Sequence, residues 1–462
     1  MTTARKLLLL LLGLDVFVTV AVFNVVLGLR LWAGALPDHP LVILPLLEGP
    51  VPIVVFALYL IDGYKPRTDM MGLDYTSLHL IAMLLAAVAT LLLTFVFTTS
   101  GEYSLQTSRA VIMVGYALLA PLTLGYRRLV RARLERRRGQ HSLVFLGDRE
   151  SARTFLAECE RVGTRQPVVF SVVSEESAVP FPDGSAAPLP FSEVLQRVRH
   201  GDLKVEAIIL RESSRELQPS VAHELVSLYF AGVPTFTLEL FHQVYWRKIP
   251  LYRINQTWLF QEGFQIAREP VFERLKRASD ILLALAGLVL ATPVIALAGI
   301  GIWLEDGGPV FFRQPRVGRN RALFLLHKLR TMRPGAGREE RYTRPGDARI
   351  TRIGRLLRAT RVDEFPQLWN VLRGDMSLIG PRAEWVRLVD DYERAIPCYY
   401  FRHLVKPGIT GWAQVNYPYG ASLDDTLRKL EYDLYYIRHF SFRLDASIVL
   451  KTIHVMLFGK GR

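Results

Sequence analysis

The sequence has few cysteines, and it has fewer acidic than basic residues. The first shortage excludes two classes of protein, and the second indicates the kind of partner. Cys159 and Cys398 are the two cysteines in 462 residues. Two distant cysteines cannot build a disulfide framework and lack the spacing of a zinc site, which fits a reducing, cytoplasmic setting for the polar regions. The 57 Lys+Arg against 43 Asp+Glu give a net charge of +14. This excess predicts an anionic partner: lipid headgroups, nucleic acid or a phosphorylated small molecule.

Apolar residues, by contrast, make up 50% of the chain, and the mean hydropathy of +0.20 is high for a soluble protein. Four stretches approach the ~20 apolar residues that a helix needs to cross a bilayer. The predicted transmembrane helices are 7–29, 41–60, 78–97 and 110–124. Together they predict a four-helix transmembrane domain at residues 1–138.

Positively charged residues decide the predicted orientation of these helices. Arg5 and Lys6 precede the first, Lys65 and Arg67 lie between the second and the third, and an arginine-rich segment, 127–138, follows the fourth. The positive-inside rule therefore places both ends of the domain in the cytoplasm. Because no small-residue cleavage site follows the first apolar run, we interpret that run as a retained anchor.

One acidic residue, Asp15, lies inside the first predicted helix. An ionisable side chain in a membrane segment is costly, so this residue is either functional or paired with another side chain inside the bundle. The sequence leaves both interpretations open.

A fifth apolar segment, 281–303, has charged flanks that disagree with a simple crossing. Basic residues precede it, and four arginines follow it at 313–321, which a crossing helix would place outside the cell. Pro293 removes a helical hydrogen bond near the centre of the segment. These features favour a re-entrant helix, 280–304, that is broken at Thr292-Pro293 and leaves on the side it entered, over a fifth transmembrane span.

Residues 139–262 alternate short apolar runs with helical patterns, which predicts a small, Rossmann-like α/β domain with a parallel sheet. The turn after its first predicted strand reads Leu-Gly-Asp-Arg-Glu-Ser at 146–151. This turn lacks the G-x-G-x-x-G pattern that lets a backbone approach a pyrophosphate. We therefore interpret the domain as a structural or regulatory module.

The predicted C-terminal domain, 263–462, is mixed but mainly helical, and its stretch 308–420 is rich in arginine, glycine and proline. Arginines beside Gly or Pro turns suit bidentate contacts with anionic oxygens. Two adjacent carboxylates, Asp363 and Glu364, lie among these cations. One can face a substrate while the other holds Mg²⁺, and an ionised aspartate is available as a nucleophile toward phosphorus.

The region from about 274 to 462 resembles the bacterial sugar transferase family, the monotopic polyprenyl-phosphate hexose-1-phosphate transferases. The matching strings, in chain order, are KRASDILLALAGLVLATP, GPVFFRQPRVGRN, HKLRTM, DARITRIGRLLR, VDEFPQLWNVLRGDMSLIGPR, VKPGITGWAQVN and YDLYYIRHFS. The predicted membrane helices and α/β domain resemble the family's long form, of the type that starts exopolysaccharide assembly. One departure is Ala383, which replaces the last proline of the usual Gly-Pro-Arg-Pro and puts the phosphate grip of that turn in doubt.

The resemblance implies a multi-pass enzyme of the bacterial inner membrane, with its middle and catalytic domains in the cytoplasm. It implies transfer of a hexose 1-phosphate from a UDP-sugar to undecaprenyl phosphate, with release of UMP and formation of a polyprenyl diphosphate sugar. In this reaction Asp363 is the nucleophile that forms a covalent aspartyl intermediate, and Glu364 is a ligand of Mg²⁺. The implied partners are the UDP-sugar, the polyprenyl phosphate and the membrane, without nucleic acid, and a homodimer is plausible.

Further residues complete the predicted site. Six are predicted to bind substrate or phosphate: Arg316, Lys328, Arg330, Arg361, Gln367 and Arg382. For each cation the alternative is a structural salt bridge. Asp375 is predicted to be a second metal ligand, and both Asp375 and Asp433 are candidates to assist the metal or to position substrate. We interpret His403 as structural and the helix 445–458 as lying at the membrane interface.

Three rival functions stay open at this point. A polyprenyl-phosphate glycosyltransferase would use the same substrates but release UDP. A transfer through a ternary complex would release UMP without a covalent intermediate. A non-enzymatic scaffold of polysaccharide assembly would tolerate the loss of Asp363.

Overall fold

The structure is a computed structural model that divides into two compact units, Met1–Arg138 and Gly139–Arg462. It describes residues 3–32, 46, 49–64, 68, 70–100, 109–138, 141–164, 166–172, 188–211, 217–251, 270–334, 347–418, 420 and 422–458.

The first unit is built from long apolar helices. They are α1 (Thr3–Trp32), α2 (Pro50–Leu60), α3 (Leu73–Ser100) and α4 (Arg109–Arg138). Helices α1, α3 and α4 each contain a segment long and apolar enough to cross a membrane, in agreement with three of the predicted spans. Helix α2 has 11 residues, and most of the preceding part of the second predicted span lies outside the described residues.

Asp15 is fully buried in this unit and is paired. The Nη2 atom of Arg127 lies 2.5 Å from its carboxylate, and neither side chain is exposed. Tyr64 donates its hydroxyl to the same carboxylate at 2.6 Å, and Tyr126 donates to it as well. Arg127 also donates to the Gly63 carbonyl at 2.5 Å. These contacts support the interpretation of Asp15 as a paired, bundle-facing acid. Arg127 belongs to the basic segment predicted to follow the fourth span, and in the structure it lies inside α4.

The second unit begins with a five-stranded parallel sheet of order β3-β2-β1-β4-β5. Its strands are β1 (Ser142–Leu146), β2 (Val168–Val172), β3 (Leu189–Pro190), β4 (Val205–Leu210) and β5 (Thr235–Thr237). The helices are α5 (Arg149–Val162), α6 (Phe191–His200), α7 (Pro219–Phe230) and α8 (Leu238–Phe241), and a π-helix, His242–Trp246, follows. Every residue of β1 is buried because apolar clusters cover both faces of the sheet, and the predicted parallel sheet is confirmed.

The turn after β1 is occupied by an acidic side chain that the protein itself binds. Asp148 caps α5 and accepts a hydrogen bond from the backbone N–H of Ser151 at 2.9 Å. Arg211, directly after β4, forms an ion pair with the same carboxylate. A carboxylate therefore occupies the helix N-terminus at which a dinucleotide would place its phosphates.

The remainder of the second unit is mostly helical. Its strands are an antiparallel hairpin, β6 (Phe311–Val317) and β7 (Leu323–Leu329), and a parallel pair, β8 (Ser377–Ile379) and β9 (Gly408–Thr410). Its helices are α9 (Pro270–Asp306), α10 (Arg352–Thr360), α11 (Gln367–Arg373), α12 (Val386–Ala395), α13 (Trp412–Asn416), α14 (Leu423–Arg438) and α15 (Phe442–Phe458). Short 3-10 turns cover Arg319–Arg321, Val362–Glu364 and Tyr399–Leu404.

Helix α9 is a continuous helix of 37 residues, long and apolar enough to cross a membrane, with Pro293 inside it. The predicted interruption at Thr292-Pro293 does not end the helix, and Thr292 donates its hydroxyl to the Leu288 carbonyl at 2.7 Å. The re-entrant course of this helix stays a prediction.

The segment after the π-helix belongs to the C-terminal core. Ile249 and Leu251 are buried in the same apolar cluster as Leu430 and Leu434 of α14. The backbone N–H of Ile249 donates to the carbonyl of Glu431 at 3.0 Å. Residues 139–462 form one compact unit, so the predicted boundary between the middle and C-terminal domains at 262 stays a prediction.

Candidate active site

Asp363 and Glu364 lie in the 3-10 turn between α10 and α11. Arg361 ends α10 in a left-handed conformation, with φ of 59°, and redirects the chain. Phe365 and Pro366 then have right-handed helical angles and lead into α11. Because the backbone is helical from the turn onward, residues three and four apart share a face, and Gln367 lies on the side of the two carboxylates.

Three cations surround Glu364. Its Oε1 atom lies 2.9 Å from Nζ of Lys328 on β7 and 3.9 Å from a guanidinium nitrogen of both Arg361 and Arg382. Burial alone would raise the pKa of Glu364, but the charges of Lys328 and Arg382 hold that pKa at about 2. Glu364 is therefore ionised at neutral pH.

The pKa of Asp363 is shifted in the opposite direction. Its side chain is buried, and this burial raises its pKa, with the negative charge of Glu364 acting in the same direction and Lys328 opposing both. Adjacent carboxylates whose pKa values are moved apart are suited to different roles. Glu364 is a fixed charge, and Asp363 is the more basic carboxylate.

A pocket adjoins this acidic pair. Its lining consists of Arg316, Leu326, Lys328, Gln367, Met376, Arg382, Ala383, Gly408 and Ile409. Lys328 and Arg382 belong both to the pocket and to the surroundings of Glu364. One part of the wall is thus cationic, whereas Leu326, Met376 and Ile409 belong to an apolar cluster that also contains Ala284 of α9.

The turn that carries Arg382 is held by two buried arginines. Arg402 donates from Nη2 to the Arg382 carbonyl at 3.1 Å, and Arg316 donates from Nη1 to the next carbonyl, that of Ala383, at 3.0 Å. Arg402 is in turn 3.0 Å from the carboxylate of Asp433, whose pKa burial raises to about 6. Sequence reasoning missed Arg402, for which the signal was an arginine inside the largely apolar run 399–405.

The predicted substrate and metal residues fall into two groups. Five of them lie around the acidic pair or line the pocket: Arg316, Lys328, Arg361, Gln367 and Arg382. Arg330 forms an ion pair with Asp306 at the end of α9. Asp375 follows the far end of α11, where Asn370 donates to it at 3.2 Å. The predicted roles of Arg330 and Asp375 stay predictions that these contacts do not support.

The donor set near the pair suits a shared Mg²⁺. Among the residues that the structure describes, no group of three or more His, Cys, Asp or Glu side chains is placed to hold a metal ion. Mg²⁺ in enzymes commonly takes one or two carboxylates and completes its shell with substrate phosphates and water. Glu364, with Asp363 beside it, fits that requirement.

The fold and site define a membrane-associated protein with an acidic pair in a cationic pocket. The profile of the bacterial sugar transferase family matches residues 271–459. A UDP-N-acetylgalactosamine-undecaprenyl-phosphate N-acetylgalactosaminephosphotransferase of Aeromonas hydrophila is 37% identical over 262 residues, 56% of this chain and 61% of that protein. A UDP-glucose:undecaprenyl-phosphate glucose-1-phosphate transferase of Escherichia coli K12 is 42% identical over 184 residues, 39% of each chain.

An exopolysaccharide production protein of Rhizobium leguminosarum bv. phaseoli is 39% identical over 198 residues, 40% of this chain and 98% of that protein. The chain belongs to the bacterial sugar transferase family, which confirms the resemblance of its motifs. The matched region spans 61% and 39% of the length of the first two relatives.

Proposed function

We propose that the protein transfers a hexose 1-phosphate from a UDP-sugar to undecaprenyl phosphate and releases UMP. The observation that carries this proposal is the acidic pair itself: an ionised Glu364 beside a buried, more basic Asp363, at the edge of a pocket lined by Lys328 and Arg382. The names of the Aeromonas and Escherichia relatives, which combine a UDP-sugar with undecaprenyl phosphate, support the same reaction.

In the first step a carboxylate oxygen of Asp363 attacks the β-phosphorus of the donor. A new P–O bond forms to Asp363, the bond from that phosphorus to the bridging oxygen breaks, and UMP leaves with the bonding electrons. The raised pKa of Asp363 supports this assignment because the more basic oxygen is the better nucleophile once it is ionised. The product of the step is a sugar-phosphoryl aspartate.

In the second step a phosphate oxygen of undecaprenyl phosphate attacks the same phosphorus. The bond to Asp363 breaks, its carboxylate is regenerated, and a polyprenyl diphosphate sugar leaves. Lys328 and Arg382 bind the anionic oxygens of donor and acceptor in both steps, and Lys328, which contacts Glu364, also stabilises the charge that develops during transfer. Mg²⁺, when held by Glu364 and the substrate phosphates, supplies further charge neutralisation.

The contacts of α9 support a course in which it enters and leaves the membrane on one side. Near its start, Lys276 lies 2.6 Å from Asp445, and near its end Glu305 accepts from the backbone N–H of Arg352 at 2.7 Å. Both partners belong to the same compact unit, whereas a crossing helix would place its ends on opposite sides of ~30 Å of hydrocarbon.

The outer face of α9 suits contact with lipid. Leu282, Leu290 and Leu297 are 68%, 77% and 71% exposed, while Ala284 and Ala291 face the protein. The helix therefore anchors the C-terminal region to one leaflet. The positive-inside rule supports a position of that leaflet, and of the α/β domain, on the cytoplasmic side of the bacterial inner membrane.

The test is to follow the nucleotide that purified full-length protein releases from labelled UDP-sugars with Mg²⁺ and undecaprenyl phosphate. We expect UMP, and we expect Asp363→Asn to lower its release on the order of 10³-fold or more. Asp391→Asn, an exposed aspartate on α12, is the matched control and keeps full activity. Release of UDP points to a glycosyltransferase and overturns the proposal, and unchanged activity of Asp363→Asn removes Asp363 from the reaction.

The covalent step has its own test. With a donor labelled at the β-phosphate and no lipid acceptor, the wild-type protein becomes labelled and releases one equivalent of UMP, whereas Asp363→Asn does neither. A transfer through a ternary complex would release no UMP until undecaprenyl phosphate is added.

A further inference from the structure

Helix α14 contacts two distant parts of the second unit: helix α5, which packs on the α/β sheet, and the turn that carries Arg382. Most of its residues from Leu430 to Ile437 are buried. Protein interiors are densely packed and transmit displacement rather than absorb it, so a shift of this helix also shifts the side chains packed against it.

The contact with α5 is made by buried charges. The Nη1 atom of Arg428 on α14 lies 3.2 Å from the carboxylate of Glu158, whose side chain is 2% exposed. Lys248, which also pairs with Glu158, lies 3.3 Å from Glu431 on α14. Glu158 is therefore the carboxylate of α5 to which α14 is attached, directly through Arg428 and indirectly through Lys248.

The contact with the turn lies farther along the same helix. Asp433 is 2% exposed and lies 3.0 Å from Nη2 of Arg402, and that nitrogen also donates to the Arg382 carbonyl at 3.1 Å. Tyr436 donates its hydroxyl to the carbonyl of Ile379 at 3.2 Å. Helix α14 thus holds the backbone on both sides of the turn.

The α/β sheet reaches the pocket through such intermediate contacts. In chain order the pocket lining begins at Arg316, so no residue of the sheet or of α5 belongs to it. Arg428 and Asp433 are five residues apart, about 7.5 Å along the helix axis. A misplacement of about 1 Å that starts far from a reacting group can lower a rate up to ~10²-fold, so a short path of this kind is sufficient to affect binding.

We propose that Glu158 is a positioning residue for the donor's phosphates: it fixes α14 and, through Asp433 and Arg402, the turn that carries Arg382. This inference rests on the proposed function. It gives the α/β region a role in donor binding without a residue in the pocket. A change at α5 therefore alters the affinity for the UDP-sugar while the pocket lining stays the same.

The experiment is a double-mutant cycle in the full-length, membrane-extracted protein, with wild type, Glu158→Gln, Arg402→Lys and the double variant. The readout is KM and kcat for UMP release at saturating undecaprenyl phosphate. The donor is whichever of UDP-glucose, UDP-galactose, UDP-N-acetylglucosamine and UDP-N-acetylgalactosamine the wild type uses best. We expect Glu158→Gln to raise KM about threefold or more at nearly constant kcat. In the Arg402→Lys background, where the path is already interrupted, the same substitution changes KM by less than about 1.5-fold.

Two features separate this role from a loss of stability. KM does not depend on how much of a variant is folded, so a partly unfolded Glu158→Gln still gives an answer. Glu193→Gln, which removes an exposed ion pair with Arg197 on α6, is the matched control and leaves KM unchanged.

Three results overturn the inference while leaving the proposed function intact: an unchanged KM in Glu158→Gln, a fall in kcat alone, or an equal rise in KM with and without Arg402→Lys. The last result shows that Glu158 acts independently of Arg402. If the wild-type protein releases UMP with none of the donors, the proposed function fails, and the inference about Glu158 fails with it.

Discussion

Asp363 and Glu364 are neighbours in the chain and yet occupy unlike environments. Glu364 lies within 4 Å of three cations, which hold its pKa at about 2, whereas burial dominates at Asp363 and raises its pKa. The difference arises from their contacts: Glu364 accepts a hydrogen bond from Lys328 at 2.9 Å, whereas at Asp363 burial outweighs the charges of Lys328 and two arginines. The proposed roles of a fixed charge and a nucleophile follow from this difference.

Removal of Lys328 tests how Glu364 is held. Lys328→Met leaves a largely buried carboxylate without its nearest partner, and we expect a loss of about 3 kcal/mol in the free energy of unfolding. The double variant Lys328→Met/Glu364→Gln should recover most of that stability but not activity. Thermal unfolding in detergent and UMP release measure the two effects. A double variant as unstable as the single one would show that the Lys328–Glu364 pair is not the cause.

At the level of single residues, the sequence motifs of the C-terminal region predicted much of the candidate site. Lys328, Arg361 and Arg382 meet Glu364, and Gln367 joins Lys328 and Arg382 in the pocket. Arg127 and Arg402 were missed for a common physical reason. Each pairs with a carboxylate on a different helix, 112 residues away for Arg127, and residue spacing contains no information about such tertiary contacts.

The turn between β8 and α12 is fixed by side chains from other elements. Arg402 and Arg316 donate to the carbonyls of residues 382 and 383, at the position where the resemblance of the motif implies a proline in place of Ala383. Both arginines are buried, and Arg402 is also held by Asp433 and by the Tyr399 hydroxyl at 2.5 Å. We therefore expect the phosphate contact of Arg382 to depend on Arg402 as a positioning residue.

Arg402→Lys tests this dependence because lysine keeps the charge and loses the planar pair of donors. We expect KM for the UDP-sugar to rise about tenfold while kcat changes less, since in the proposed reaction the turn binds the donor's phosphates and does not itself react. Initial rates across donor concentrations give both constants. Arg394→Lys, on the exposed face of α12, is the control. A fall in kcat at constant KM would contradict a positioning role.

The course of α9 is a second prediction at the scale of elements. In a background without Cys159 and Cys398, cysteines introduced at Val271 and Pro309 flank the apolar part of the helix at exposed positions. If α9 returns to the side it entered, a membrane-impermeant maleimide labels both positions in inside-out vesicles and neither in intact spheroplasts. Opposite labelling of the two positions would establish a crossing helix.

Most helices and strands could be predicted from the sequence, whereas many side-chain contacts could not. Alternation of apolar runs with helical patterns gave the parallel sheet, and long apolar stretches gave α1, α3 and α4. The hairpin β6–β7 and the pair β8–β9 were not predicted, because their stretch lacks a regular apolar period and is dominated by arginine, glycine and proline. The arginine, glycine and proline residues of its turns, rather than a regular spacing of apolar residues, determine the structure of that stretch.

Across the second unit, the α/β sheet and the C-terminal helices are joined by a buried polar network. Glu158 of α5 accepts from or pairs with His242, Lys248 and Arg428, and Lys248 also lies 3.3 Å from Glu431 of α14. Burial would raise the pKa of Glu158, but its hydrogen bond with His242 and the charge of Lys248 lower that pKa to about 2. Ionised Glu158 therefore stabilises the connection between the two parts.

The sign of the pH dependence follows from this lowered pKa. The stabilisation by Glu158 is fully present above its unfolded pKa, near 4.5, and is lost as the pH falls toward 2, for a total of about 3 kcal/mol. The difference in free energy of unfolding between wild type and Glu158→Gln should thus shrink from pH 5 to pH 2. Denaturant titrations followed by tryptophan fluorescence measure it. Glu193→Gln, in an exposed pair, should give a constant difference, and a constant difference for Glu158 would contradict the assignment.

The core contacts of Ile249 and Leu251 predict where the chain can be shortened. A chain of residues 247–462 keeps both side chains and Lys248, whereas 263–462 loses them and leaves Glu431 with fewer partners. Two buried apolar side chains are worth about 3 to 6 kcal/mol, so we expect 247–462 to be the more stable and to retain UMP release. Equal stability of the two chains would place the boundary at the predicted position, 262.

The ion pair between Asp15 and Arg127 has a consequence for biogenesis. During synthesis Asp15 enters the membrane 112 residues before its partner is made, and an uncompensated aspartate at the centre of a helix costs about 3 kcal/mol in insertion. The bundle therefore gains its full stability only after α4 is in place. In related sequences, the two positions should change together, because a substitution at one leaves a lone charge in the membrane that a second substitution must remove.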